Sequence, residues 1–166
     1  MAKKNKVLSE TESPVTMHWA ITSQLTPHRL AYRINQECDW ALKRLKNLIA
    51  ESKVSKNGFA LYHYQQFENH PEFYLIALQE DKNTLVKGLK KFDYLIQVRM
   101  RDEGIRWNSM AMLNAIRGTE EILGIFEINV DIIKDTDVLF FDIHLDKLVE
   151  EPEPKKTIKK KVEKEG

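Results

Sequence analysis

Leu85-Val86-Lys87-Gly88-Leu89-Lys90-Lys91-Phe92-Asp93-Tyr94-Leu95-Ile96-Gln97-Val98 is a polar approach that runs into an apolar strand through the pair Asp93-Tyr94. From Phe92 to Met100 the side chains alternate. Tyr94, Ile96, Val98 and Met100 fall on one face, and Asp93, Gln97 and Arg99 on the other. Alternation of this kind predicts a strand with one buried face and one partly wet face. The pair Asp93-Tyr94 at its mouth is the strongest functional candidate, a carboxylate able to bind an incoming amine, arginine or water, but the structural reading is favoured: Asp93 accepts backbone amides of the preceding turn, and Tyr94 packs inward with its hydroxyl on a partner.

Outward from this strand, Thr26-Pro27 opens a helix, because a threonine oxygen can cap an orphan amide and proline at the first helical position lacks the donor that would go unpaired. Leu30, Ile34, Cys38, Leu42, Leu45 and Ile49 recur at helical spacing, so the periodicity predicts one helix as far as Ile49. A hairpin follows, with arms Phe59–Tyr64 and Phe73–Leu78 and a turn at Asn69-His70-Pro71, where proline has no ladder bond to give. A second helix carries Trp107, Met110, Leu113 and Ile116 and stops at Gly118, a residue able to take a left-handed cap. One or two strands close the chain. The expected fold is α+β, a single domain with a mainly antiparallel sheet and two helices packed on one face. Residues 15–149 form the domain, residues 1–14 a flexible N-terminus, and residues 150–166, with two prolines and little to bury, a disordered charged tail.

These segments resemble the IPExxxVDY proteins of the Bacteroidota. The resemblance is carried by Trp19–Ser23, by Leu30-Ala31-Tyr32-Arg33-Ile34-Asn35, by Lys43-Arg44, by the hairpin arms, by Ile122–Asn129, by Val138-Leu139-Phe140-Phe141-Asp142, and by Asp93-Tyr94. In the name motif Val86, Lys87 and Gly88 stand where the family has Ile, Pro and Glu, and Phe92 stands where it has Val. Only Asp93 and Tyr94 remain, so no role of the family's glutamate carries over. The resemblance implies no assigned activity. It also implies a break in the first helix near Cys38 and an extended segment from Lys43 to Leu48, against the helical spacing.

Composition places the chain among ordinary globular domains: 166 residues, 42% hydrophobic and 31% charged, with a formal net charge of +1. Such a balance gives no strong field for nucleic acid. The lone cysteine, Cys38, reads as a small core residue, consistent with a reducing cytoplasm. The basic start Met1–Lys6 leads into polar residues rather than the apolar core of a signal peptide, and no apolar run is long enough to span a bilayer.

Candidate chemistry is sparse. His63 reads as a sheet-surface histidine, and His18, His28, His70 and His144 are scattered singly, so no metal is expected. Asp102-Glu103 and Glu120-Glu121 read as solvated turns. Neither G-x-G-x-x-G nor G-x-x-x-x-G-K-[ST] occurs, and no cofactor is expected. Lys87, Lys90, Lys91 and Arg99, with Arg101 and Arg106, are the residues a nucleic-acid binder would use, together with aromatics of the hairpin and the lysines of the tail. The sequence therefore points to a non-enzymatic cytoplasmic binding or adapter domain whose partner is a protein. An RNA-binding accessory protein, a small-ligand sensor and an unrecognised enzyme are the competing readings.

Overall fold

The computed structural model describes residues 15–49, 58–101 and 107–139. Expectations that fall on residues 1–14 and 140–166, on Asp102-Glu103 and on Arg106 lie outside the described residues. Among the described residues the main elements are β1 (Val15–Ser23), α1 (Pro27–Cys38), β2 (Lys43–Arg44), β3 (Leu61–Tyr64), β4 (Glu72–Ala77), β5 (Gln79–Glu80), β6 (Asn83–Thr84), β7 (Tyr94–Met100), α2 (Ser109–Arg117) and β8 (Ile122–Ile128). Six strands form one sheet in the order β2-β3-β4-β7-β1-β8, and each neighbouring pair is antiparallel. β5 and β6 pair separately as a small hairpin. This is the expected α+β domain.

Both helices cover the same face. Leu30, Ala31 and Ile34 of α1 and Met112, Leu113 and Ile116 of α2 pack with Trp19, Ile21, Phe73, Leu75, Tyr94, Ile96 and Val98. Tyr94, Ile96 and Val98 thus lie inside, as their alternation predicts. The middle of the opposite face of β7 is not wet, while Asp93 and Arg99 toward its ends are partly buried. A second core joins Leu95, Tyr74, Ile76 and Ala20 to a cover made of Leu78, Leu85, Val86 and Leu89 on one side and Val130 and Leu139 on the other. Gln97 is fully buried beneath this cover. The central strands are therefore sandwiched between a helical layer and an irregular layer of hairpin and 3-10 turns. The latter has no periodicity that a sequence pattern can register.

Three local expectations change. α1 ends at Cys38 and not at Ile49: Asp39 adopts the left-handed conformation (φ 60°), its amide bonds to the Asn35 carbonyl, and the Asn35 side chain takes the Leu42 amide at 2.8 Å. Lys43–Arg44 is then free to pair with Tyr62 and His63. The Thr26 hydroxyl caps nothing, and its carbonyl accepts the Leu30 amide at 2.9 Å. Gly118 ends α2 with φ −78°, right-handed and not left-handed, while the start of α2 is capped by Asn108, whose side chain accepts the Met110 amide. At the far end of the domain, Asp137–Leu139 is a 3-10 turn where a closing strand was expected, and Phe140-Phe141-Asp142 lies outside the described residues.

The two halves of the irregular layer meet at Gly88, where an added Cβ would lie 2.5 Å from Ile133 Cγ2. Gly88→Ala is expected to cost about 1–3 kcal/mol in urea denaturation, as overpacking does. In the double variant with Ile133→Ala the loss should be clearly smaller than the sum of the two single losses; strict additivity would show that the two turns do not bear on each other.

Candidate functional site

The backbone of Asp93 sits at a corner where several chain segments meet. Its amide donates to the Ile21 carbonyl at 2.9 Å, and its carbonyl accepts the Leu78 amide at 2.9 Å. Its carboxylate Oδ2 accepts the Ser23 amide at 2.9 Å. The expectation that Asp93 organises the turn before it is thus corrected: the carboxylate serves the end of β1, 70 residues earlier in the chain. Ser23 Oγ donates to the Glu121 carbonyl at 2.9 Å and accepts the Leu25 amide at 3.2 Å. The Tyr94 hydroxyl donates to the Leu25 carbonyl at 2.5 Å. Burial, with Asp93 and Tyr62 adding, pushes the Tyr94 hydroxyl upward, so it stays a donor. The pair holds the turn from β1 into α1 against the starts of β7 and β8. Glu121, expected in a solvated turn, belongs to the same corner through an ion pair with Arg33 of α1 at 2.8 Å.

The basic residues do not form one patch. Lys87, Lys90 and Lys91 are exposed on the 3-10 turn ahead of β7. Gln79 donates to the carbonyls of Lys90 and Phe92 and fixes that turn. Arg99 lies eight residues beyond Lys91, roughly 25 Å along an extended chain. It is engaged in the irregular layer: Nε donates to Gln97 Oε1 at 2.8 Å, and the guanidinium stands 4.8 Å from the Tyr74 ring centre. The hairpin aromatics Phe59 and Tyr62 are buried in the two cores and offer no stacking face.

Register brings together residues that the sequence scatters. His18, Gln97, Tyr74 and His63 are opposed strand by strand across β1, β7, β4 and β3, on the face under the irregular layer. Gln97 Nε2 lies 2.9 Å from His18 Nε2 and donates to the Leu139 carbonyl at 2.8 Å, while its oxygen takes the Arg99 bond. The Arg99 donor fixes the orientation of the Gln97 amide, so its NH2 faces His18, and His18 Nε2 must accept. Protonation of His18 would set donor against donor. Burial lowers its pKa to about 4, with Arg99 lowering it further and Asp131 opposing. His63, half-buried rather than lying on the open surface, has a lowered pKa from burial, and its Nε2 has no hydrogen-bond partner among the described residues. Beside it Tyr74 donates to Glu72 at 2.6 Å. Only pairing across the sheet could reveal this row; a single sequence has no signal for it.

The sheet's two edges differ. β2 is two residues long and presents Lys43 and Arg44, both exposed, a blunt and charged edge. β8 is seven residues long and, among the described residues, pairs on one side only. A bulge between Thr22 and Ser23 leaves Leu123 unopposed and 68% exposed. Phe126 is 53% exposed, its ring lying where a Cβ on Gly124 would stand and 5.9 Å from the Phe92 ring. Ile132, on the turn after β8, is 79% exposed. Phe92 follows directly on Lys90 and Lys91, so the apolar edge has a cationic flank.

Cys38 is not set up as a nucleophile: burial pushes its thiol up to about 12, with Glu37 adding to the rise. Among the described residues no three metal-ligating side chains converge, and no helix is long and apolar enough to cross a membrane. Comparison with family models, with curated proteins and with solved structures returns no match.

Two outcomes are expected from the corner and the row. Asp93→Ala should lose about 1–3 kcal/mol by stranding the Ser23 amide, Asp93→Asn markedly less, and Tyr94→Phe about 1 kcal/mol, all read by chemical denaturation; equal losses for the two Asp93 variants would show that charge, not acceptance, matters. The second concerns acid. The unfolded chain binds a proton at His18 that the folded chain refuses, so stability present above the unfolded pKa of 6.5 is lost as pH falls toward about 4. His18 accounts for at most about 3 kcal/mol of that loss. His18→Gln keeps an acceptor near Nε2 without titrating, and its acid loss should be smaller than that of the wild type.

Proposed function

We propose that this chain is a non-enzymatic binding or adapter domain of the cytoplasm that docks an extended segment of a partner protein along β8. The observation that carries this reading is the contrast between the edges: a short charged edge at β2, and at β8 a seven-residue strand with exposed Leu123 and Phe126. An unpaired strand offers a row of main-chain donors and acceptors, and an added strand gains affinity from them and selectivity from alternate side-chain contacts. Phe92 and Phe126 favour apolar side chains on that segment, and Lys90 and Lys91 favour acidic residues beside them. Kinship with the IPExxxVDY proteins is part of the proposal. It is supported by Asp93 and Tyr94, the two retained motif residues, making the contacts that fix the β1 corner.

RNA binding is the alternative, and the exposed Lys87, Lys90 and Lys91 favour it. The two readings separate in one affinity purification from cells, with and without ribonuclease, comparing wild type, Leu123→Lys/Phe126→Lys and Lys87→Gln/Lys90→Gln/Lys91→Gln. The expected result is a protein retained after ribonuclease, lost from the edge variant and at least partly kept by the lysine variant. Material that disappears with ribonuclease, and from the lysine variant alone, would replace the adapter with an RNA-binding protein; equal retention by all three would remove β8 as the docking edge.

A further inference from the structure

At the end of the helical layer farthest from the Asp93 corner, a cavity of about 270 Å³ opens between the C-terminus of α1, the β3–β4 turn and the residue before the Asn108 cap of α2. Its walls are unusual for an edge of a core. Trp40, Tyr64 and Trp107 are each only partly buried, while Phe73 closes the floor at 5% exposure. Trp40 lies 4.1 Å from Phe73 and 6.0 Å from Tyr64, centre to centre, with interplanar angles of 32° and 23°. Trp107 meets Phe73 at 5.5 Å and 64°. Trp40, Tyr64 and Phe73 thus stack within about 32° of one another, and Trp107 meets Phe73 at a steep angle, so the rings around the cavity are not one flat platform.

Among the described lining residues Asp39 is the sole carboxylate and His70 the sole histidine, and neither lysine nor arginine is among them. Asp39 also holds a positive φ of 60°, a conformation that asparagine and aspartate tolerate better than other branched or bulky residues. Aromatic faces carry negative potential at their centres and attract cations, more so where water is partly excluded, and an adjacent carboxylate adds a direct Coulomb attraction.

We infer that the corner formed by Trp40, Tyr64, Phe73 and Trp107, with Asp39 at its mouth, is a binding site for a small organic cation of the alkylammonium class. The cavity is at the small end of ligand sites, which suits a compact head group and excludes nucleotides. Rings at differing angles around a compact cavity suit a rounded ammonium head, whereas a flat sugar or base asks for a single platform. The site lies apart from β8 and does not depend on the adapter reading.

The test uses the full chain and choline as the probe, followed by tryptophan fluorescence and by the indole N–H resonances of Trp40 and Trp107, at constant ionic strength. Saturable binding is expected, weaker by about tenfold or more for the neutral tert-butyl isostere of choline and for Asp39→Asn, the latter keeping the left-handed backbone. No saturable response, an equal response to the isostere, or an unchanged affinity in Asp39→Asn would each overturn the assignment. Sedimentation with phosphatidylcholine vesicles separates the two sources of the same head group: co-sedimentation without a response to free choline would overturn a site for the free ion.

Discussion

Everything in this domain hangs on the corner where Asp93 and Tyr94 hold the end of β1. A six-stranded sheet with β1 next to its edge needs that strand to stop at a fixed residue, since α1 must leave it and return to the opposite edge. Two long-range hydrogen bonds set the stop. The carboxylate accepts the amide of Ser23, and the Tyr94 hydroxyl donates to the carbonyl of Leu25. Stranding either backbone group would cost about 1–3 kcal/mol.

From that corner the two layers follow. β7 begins at Tyr94, and its alternate residues feed two separate cores, one with the helices and one with the irregular cover. Burial on both faces explains why a glutamine can sit at zero exposure in the middle of the sheet: each polar atom of Gln97 has a partner in His18, Leu139 or Arg99. A buried glutamine satisfied in this way adds specificity of register, because a slip of one residue would place it on the helical face. It also sets a limit on acid tolerance, since His18 must stay neutral for Gln97 to keep its bond.

Much of this was legible in the residues. The hairpin arms, both helices and the inward face of β7 follow from periodicity and from proline and glycine placement. The end of α1 did not, because Leu42 and Leu45 continue the helical spacing by coincidence while lying in extended chain. What ends the helix is a side chain of its own last turn, Asn35, reaching to Leu42. The irregular cover was invisible for a different reason: Leu85, Val86, Leu89, Val130 and Leu139 are apolar but follow no period, and only long-range contact gives them a common surface. The same applies to sites. Asp93 and Tyr94 stood out in the sequence, yet the partner of Asp93 lies 70 residues away. The strand at β8 is expected from the sequence only as a closing strand, and its place at the sheet edge among the described residues follows from strand order.

The Asp93–Tyr94 corner belongs to the cooperative core and is not a loop closed over it. Native-state hydrogen exchange at the Ser23 amide tests this, since that proton is given to the Asp93 carboxylate. Ser23 is expected to exchange only through global unfolding, with the same opening free energy as Ile21 and Leu95 and the same denaturant dependence. Exchange of Ser23 at a rate close to that of the exposed Gln24 amide, while Ile21 and Leu95 stay protected, would contradict it.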